Sequence, residues 1–247
     1  MNALRECRLS GTDLMSLDGK TAIVTGGGRG IRFAIAEALT GAGANVMVCG
    51  RNSDTIQQAV ESLQHLGKAA GMKCDVTNYK DVCSLVEATK SEFGGVDILV
   101  NNAGIVAEGS LEEITPEIWG EVVNTNLTGA FYCSRAVVPV MREQDGGDII
   151  NISSRAGINA YEGGFAYNAS KFGLNGLSEA LFLELKKYGI RVSYMMPGRV
   201  STNFGDEEPE PWHVGPEDVA ELVLSALSLN TRSVASRIEI RPVRTPY

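Results

Sequence analysis

"TAIVTGGGRGIRFAIA", Thr21 to Ala36, decides how this chain is read. It joins a short apolar run to a glycine cluster and then to a segment of helical period. Ile31, Ile35, Ala38 and Leu39 share one face of that segment, which closes on glycine. A strand that ends in glycines and opens at once into a helix is a phosphate-binding turn, because free backbone N–H groups and the helix dipole face an anion there. Glycine is needed where a Cβ would block the turn or the ligand's approach. Three residues separate Gly26 from Gly30, which departs from the usual dinucleotide fingerprint. Arg32 stands where the pattern calls for a third glycine. Taken alone, the stretch fits a nucleotide site and a ligand-free structural turn equally well.

Outward from it, short apolar runs alternate with longer segments of helical period. "NVMVCG" (45–50), "DILVN" (97–101), "DIINIS" (148–153) and "RVSYMM" (191–196) read as buried strands like "TAIVT" (21–25). "AAGMKCD" (69–75) is a weaker strand and "SRIEIRP" (236–242) a plausible last one. Helices are expected near 53–66, 78–93, 116–141, 165–188 and 216–228. Asp54 after Ser53, Asn78 before Tyr79 and Pro216 after Gly215 suit helix starts. The alternation implies parallel pairing through right-handed crossovers. The expected fold is α/β, a Rossmann-type doubly wound domain whose seven-stranded, mainly parallel sheet carries helices on both faces. No linker, repeat or change of composition divides it. Residues 17–247 are expected to form that one domain, after an N-terminal extension, 1–16. Met15 is an alternative start, since "MSLDGKTAIVTG" is a complete domain opening.

The bulk composition narrows the function. Of 247 residues, 44% are hydrophobic and 21% charged, a balance that supports a sizeable core. The formal charge of −8 removes any general attraction to nucleic acid or an anionic membrane, so neither is an expected partner. Cys7, Cys49, Cys74, Cys83 and Cys133 are scattered without a CxxC, which reads as thiols in a reducing compartment. With only His65 and His213, neither a metal centre nor a Ser-His-Asp triad is expected. Charges interrupt the N-terminus where a signal peptide would be apolar, so a cytoplasmic protein is expected.

Three further motifs resolve the glycine turn. "NNAG" (101–104) follows the fourth strand, "NISSRAG" (151–157) ends the fifth, and "YNASK" (167–171) opens a later helix. In this order and spacing they resemble the short-chain dehydrogenase/reductase family, over residues 17 to about 242. The general pattern is nearest the 3-oxoacyl-acyl-carrier-protein reductase branch. The resemblance implies a nicotinamide-dependent oxidoreductase, usually tetrameric, and a homotetramer or homodimer paired through the helices near 116–141 and 165–188.

The chemistry follows from the residue types. Hydride transfer between a nicotinamide and a carbonyl or alcohol needs a proton donor or acceptor at the substrate oxygen. Tyr167 offers a phenol of ordinary pKa near 10, and Lys171, at i+4 on the same helical face, is expected to lower it. In the family this lysine also holds the nicotinamide ribose. Ser154, thirteen residues before Tyr167, matches the family's serine at the reacting oxygen, with Ser153 expected to point the other way. Asn126 in "NTNLTGAF" matches the asparagine that supports a proton-relay water.

On the cofactor side, Gly26, Arg29, Gly30 and Ile31 form the phosphate turn. After the second strand, where an acid would bind the 2′-OH of NAD, the chain reads "CGRNS". Arg51 and Arg29 without a carboxylate favour NADP(H), with NAD(H) as the alternative. Asp75 and Val76 match the adenine-contacting pair of the family. Asn102, Ala103 and Gly104 should line the adenine-ribose side of the cleft, with packing as the competing role for Asn101. Pro197, Gly198, Val200 and Thr202 match the segment that meets the carboxamide and pyrophosphate.

The specificity segment "NFGDEEPEPWHV" (203–214) is short and acidic. Its carboxylates would disfavour a strongly anionic carrier if they faced the entrance. A small carbonyl or alcohol is the expected partner, a 3-oxoacyl compound being one candidate. The alternatives are an NAD-dependent alcohol, sugar or steroid dehydrogenase and, outside enzymes, a nucleotide-binding scaffold whose turnover is impaired by Arg32. Arg32 itself is expected to take an outward rotamer or shift the backbone, weakening the dinucleotide without abolishing its binding.

Overall fold

The computed structural model describes residues 16–26, 28, 30–202 and 210–244. Seven strands form one sheet among them: β1 (Thr21–Thr25), β2 (Asn45–Gly50), β3 (Ala69–Lys73), β4 (Ile98–Asn101), β5 (Gly147–Ile152), β6 (Ile190–Pro197) and β7 (Arg237–Ile240). Their spatial order is β3-β2-β1-β4-β5-β6-β7, and every pairing is parallel. The strands therefore end on one edge, and the chain changes direction of winding between β1 and β4. That switch point leaves a crevice between two diverging connections.

The helices are α1 (Ile31–Gly41), α2 (Ser53–Gln64), α3 (Tyr79–Phe93), α4 (Pro116–Val123), α5 (Gly129–Glu143), α6 (Phe165–Leu185) and α7 (Pro216–Leu227). Two apolar layers result, one on each face of the sheet. Ala22, Val24, Val46 and Val48 turn to the layer under α1 and α7, while Ile23, Met47 and Leu99 turn to that under α3 and α5. The period-2 alternation of the strands thus feeds both cores, which is why these runs read as continuously apolar.

Two element boundaries differ from expectation for physical reasons. The segment expected as one helix over 116–141 is broken by a π-helical turn, Asn124–Thr128, between α4 and α5. One extra residue per turn there re-aims the polar side chains of "NTN". At α2 the cap is Asn52, one residue earlier than the Ser53–Asp54 signal, and its side chain accepts from the Thr55 N–H at 2.9 Å. Asn78 caps α3 and Pro216 opens α7, as their sequence signals indicate. The expected 1–16 extension lies outside the described residues except for Ser16.

Candidate active site

The crevice is built from the C-terminal ends of the strands. Thr25 closes β1 and spends its hydroxyl on the neighbouring strand: Oγ1 accepts from the N–H groups of Asn102 and Ala103, each at 3.0 Å. This fixes the NNAG turn beside the glycine turn. Asn101, buried at the end of β4, donates through Nδ2 to Asn151 Oδ1 at 2.9 Å and Ser134 Oγ at 3.1 Å. It ties β4 to β5 and α5, so its role is packing rather than lining.

At the glycine turn Gly26 and Gly30 have φ of +74° and +59°, the positions where a side chain is strained. A Cβ on Gly30 would stand 3.2 Å from Thr202 Cγ2, so the segment after β6 closes directly on the turn. That segment is held by Gly198 N–H donating to Ile240 O and by a bridge between Val200 and Val214. Ile31 is the first residue of α1. Arg29 and residues 203–209, which carry Phe204, Asp206, Glu207 and Glu208, lie outside the described residues.

Arg32 does not take the outward rotamer expected for it. Its side chain turns inward: Cδ and Nε pass 3.0 and 3.2 Å from where a Cβ on Gly26 would be. Its Nη2 donates to Gly104 O at 2.6 Å. The guanidinium therefore bridges the two lips of the crevice.

Deeper in, Ser154, Tyr167 and Lys171 come together. Ser154 leaves β5 in extended conformation, and its Oγ accepts from the Ala156 N–H at 3.1 Å while sharing a hydrogen bond with the Tyr167 hydroxyl. Ser153 points away, as expected, to a buried bond with Asn175. Asn175 Nδ2 donates to Gly157 O at 2.9 Å, so one side chain of α6 holds both ends of the loop that carries Ser154. Lys171 Nζ lies 5.6 Å from the Tyr167 ring centroid and donates to Ile152 O at 2.9 Å.

The electrostatics differ from the expectation that Lys171 lowers the Tyr167 pKa. Burial pushes the Tyr167 phenol up to about 12, against smaller opposing effects of the Ser154 hydrogen bond and the Arg32 charge. Burial also brings Lys171 down to about 7, with the Arg32 charge adding to the shift. The charge that draws the phenol's pKa down is that of the Arg32 guanidinium.

Asn126 sits in the π-turn with both amide donors engaged, to Ile105 O and Ser170 Oγ, each at 2.9 Å. Its Oδ1 accepts from the Ile105 N–H at 2.8 Å. Ser170 in turn donates to Tyr167 O, so Asn126 links the NNAG turn to the helix carrying Tyr167 and Lys171. Thr25, Ser153, Ser170 and Asn175 were not singled out as site residues from the sequence. Three of the four flank motif residues, which is the signal that could have found them.

On the outer arm of the crevice, Asp75 Oδ1 accepts from the Thr77 N–H and hydroxyl, and Val76 packs on Gly129. Arg51 is exposed and lies 3.6 Å from Glu121. A dinucleotide fits these residues on a structural observation: Asn102 Nδ2 is buried without a hydrogen-bond partner beside the strained glycine turn. A buried amide donor of that kind calls for an acceptor.

Comparison with known proteins decides the family. The short chain dehydrogenase family model matches residues 20–211. This chain belongs to the short-chain dehydrogenase family. It is 41% identical over 199 residues to a 3alpha-hydroxysteroid dehydrogenase of Mediterraneibacter gnavus, covering 79% of this chain and 80% of that one. An alcohol dehydrogenase from the archaeon Thermococcus sibiricus, complexed with 5-hydroxy-NADP, superposes with a TM-score of 0.86 at 26% identity, covering 92% of this chain and 99% of that one. An actinorhodin polyketide ketoreductase with NADPH gives a TM-score of 0.84 at 32% identity, covering 90% and 96%. As a member of this family, the protein is an NAD(P)-dependent oxidoreductase acting on CH–OH groups. Among the described residues no helix is long and apolar enough to cross a membrane, and no cluster of His, Cys, Asp or Glu could hold a metal.

Proposed function

We propose that the protein interconverts a ketone and a secondary alcohol with NADP(H), using Tyr167 as general acid and base. The observation that carries this reading is the convergence of Ser154, Tyr167 and Lys171 below the strained glycine turn. When bound, NADP(H) would supply or accept the hydride. The Ser154 hydroxyl orients the substrate oxygen, and the Tyr167 hydroxyl gives that oxygen its proton in reduction or takes it in oxidation. The phenol holds its proton at neutral pH, so Tyr167 is in the form that donates in reduction. Lys171 is the donor for the nicotinamide side and Asn102 for the adenine-ribose side, with Gly26, Gly30, Ile31 and Thr202 around the pyrophosphate. Asn126 positions the helix through Ser170 rather than touching substrate with its amide.

The NADP(H) preference rests on Arg51, which needs only to exchange an exposed ion pair with Glu121 for the 2′-phosphate. Initial rates with NADPH and NADH for the wild type and Arg51→Ala test it. The expected result is a KM for NADPH raised about tenfold or more in the variant, with that for NADH unmoved. An NADH preference that survives the substitution refutes the clamp.

A second substrate reading is favoured by the hydroxysteroid dehydrogenase relative, so the test panel pairs a 3-oxoacyl thioester with a 3α-hydroxysteroid and its ketone. We further propose a homo-oligomer assembled through α6. Phe165, Phe172 and Leu183 form one stripe on that helix, at spacings of seven and eleven residues, and all three are exposed. A reducing, cytoplasmic setting is supported by Cys49, Cys74, Cys83 and Cys133, all free thiols.

A further inference from the structure

We propose that Arg32 sets cofactor affinity on the nicotinamide side of the crevice, by occupying it until the cofactor displaces the guanidinium from Gly104. Three observations place the arm there. The side chain starts in the first turn of α1, where a cation meets the positive end of the helix dipole and gains nothing from it. Its stem then lies across Gly26, the residue that shapes the phosphate turn, and fills the space that glycine leaves open. Its Nη2 ends 2.6 Å from Gly104 O, on the opposite lip. The span from the end of β1 to the turn after β4 is the switch-point crevice through which a bound dinucleotide must pass.

Which half of the cofactor meets the arm follows from what the guanidinium faces. The carbonyl it grips belongs to Gly104, where a Cβ would stand 3.3 Å from Asn126 Oδ1. Asn126 is tied through Ser170 to the helix that carries Tyr167 and Lys171. The guanidinium's charge reaches both of those residues, so the arm lies on the side where hydride and proton are exchanged. The adenine side, with Gly50, Arg51 and Asp75, is reached from β2 and β3 instead. A nicotinamide ribose entering beside Lys171 must therefore break a short, charge-assisted hydrogen bond that a glycine in the same place would not make. The substitution acts as a built-in competitor for half of the ligand.

The inference rests on the nucleotide-binding reading above, and calorimetric titration separates the two. NADPH and adenosine 2′,5′-bisphosphate, which lacks the nicotinamide half, are titrated into wild type, Arg32→Gly and Arg32→Met. The methionine keeps an aliphatic stem over Gly26 and loses the donor, so it decides the matter if the glycine variant folds poorly. NADPH should bind about tenfold tighter in the variants, the loss of one charge-assisted bond, while the bisphosphate changes less than about twofold. NADPH affinity that is unchanged or weaker overturns the proposal, because the arginine would then be neutral or a phosphate ligand. Equal tightening of both ligands also overturns it. Wild type that binds neither ligand overturns this proposal together with the nucleotide-binding reading, whereas wild-type binding with unaltered variants overturns this one alone.

Discussion

Lys171 shows how far a single residue's role depends on its surroundings. Its place four residues after Tyr167 is plain in the sequence, and so is the family pattern that pairs them. Its charge state is not, because that depends on desolvation by residues from β5 and on an arginine from α1. Burial holds its folded pKa near 7, below the ordinary 10.5. Between those values the unfolded chain carries a proton that the folded one does not, so stability rises with pH across that window and is lost as pH falls through 7. The melting temperature of the cofactor-free protein should therefore gain more between pH 7 and 9 in wild type than in Lys171→Met. The difference should correspond to a few kcal/mol at most. Parallel curves for the two proteins would show that Lys171 is charged throughout. The same limit explains Arg32. Sequence marks it as anomalous, but only the tertiary fold shows that its partner is a carbonyl 72 positions away.

At the scale of elements, most of the architecture was legible. Strands β1 and β2 begin and end where the apolar runs do, since Gly, Asn and Asp bound them sharply. The π-turn at Asn124–Thr128 was not, because a π-turn and an α-turn present the same local composition. Nor were Thr25 and Asn175, whose partners lie on other elements. The contact between the glycine turn and the segment after β6 gives a sharp test. Gly30→Ala places a methyl 3.2 Å from Thr202 Cγ2 at φ +59°, where L-residues are strained. It should cost about 1–3 kcal/mol in chemical denaturation and weaken NADPH binding. Gly41→Ala, at the end of α1 where a Cβ meets nothing within 4 Å, is the control expected to leave NADPH binding unchanged and to cause no loss of stability. Equal effects of the two substitutions would refute a specific role for the turn.

For the whole molecule, the order β3-β2-β1-β4-β5-β6-β7 gathers four distant motifs on one edge of the sheet, which is why their spacing in sequence was informative. The same arrangement leaves the α6 stripe uncovered. Phe172→Glu, at a side chain with 47% of its surface exposed, should lower the sedimentation coefficient toward that of a monomer. An unaltered coefficient above the monomer value would move the interface elsewhere. The central claim, that this fold carries NADP(H)-dependent ketone and alcohol interconversion with Tyr167 as the proton-transfer group, has one direct measurement. Absorbance at 340 nm is followed with NADPH and a ketone panel for wild type and Tyr167→Phe, alongside NADPH binding by each. The account predicts turnover by wild type, a loss of about 100-fold or more in kcat for the variant, and NADPH affinity unchanged within about threefold. Turnover by Tyr167→Phe at the wild-type rate would contradict it.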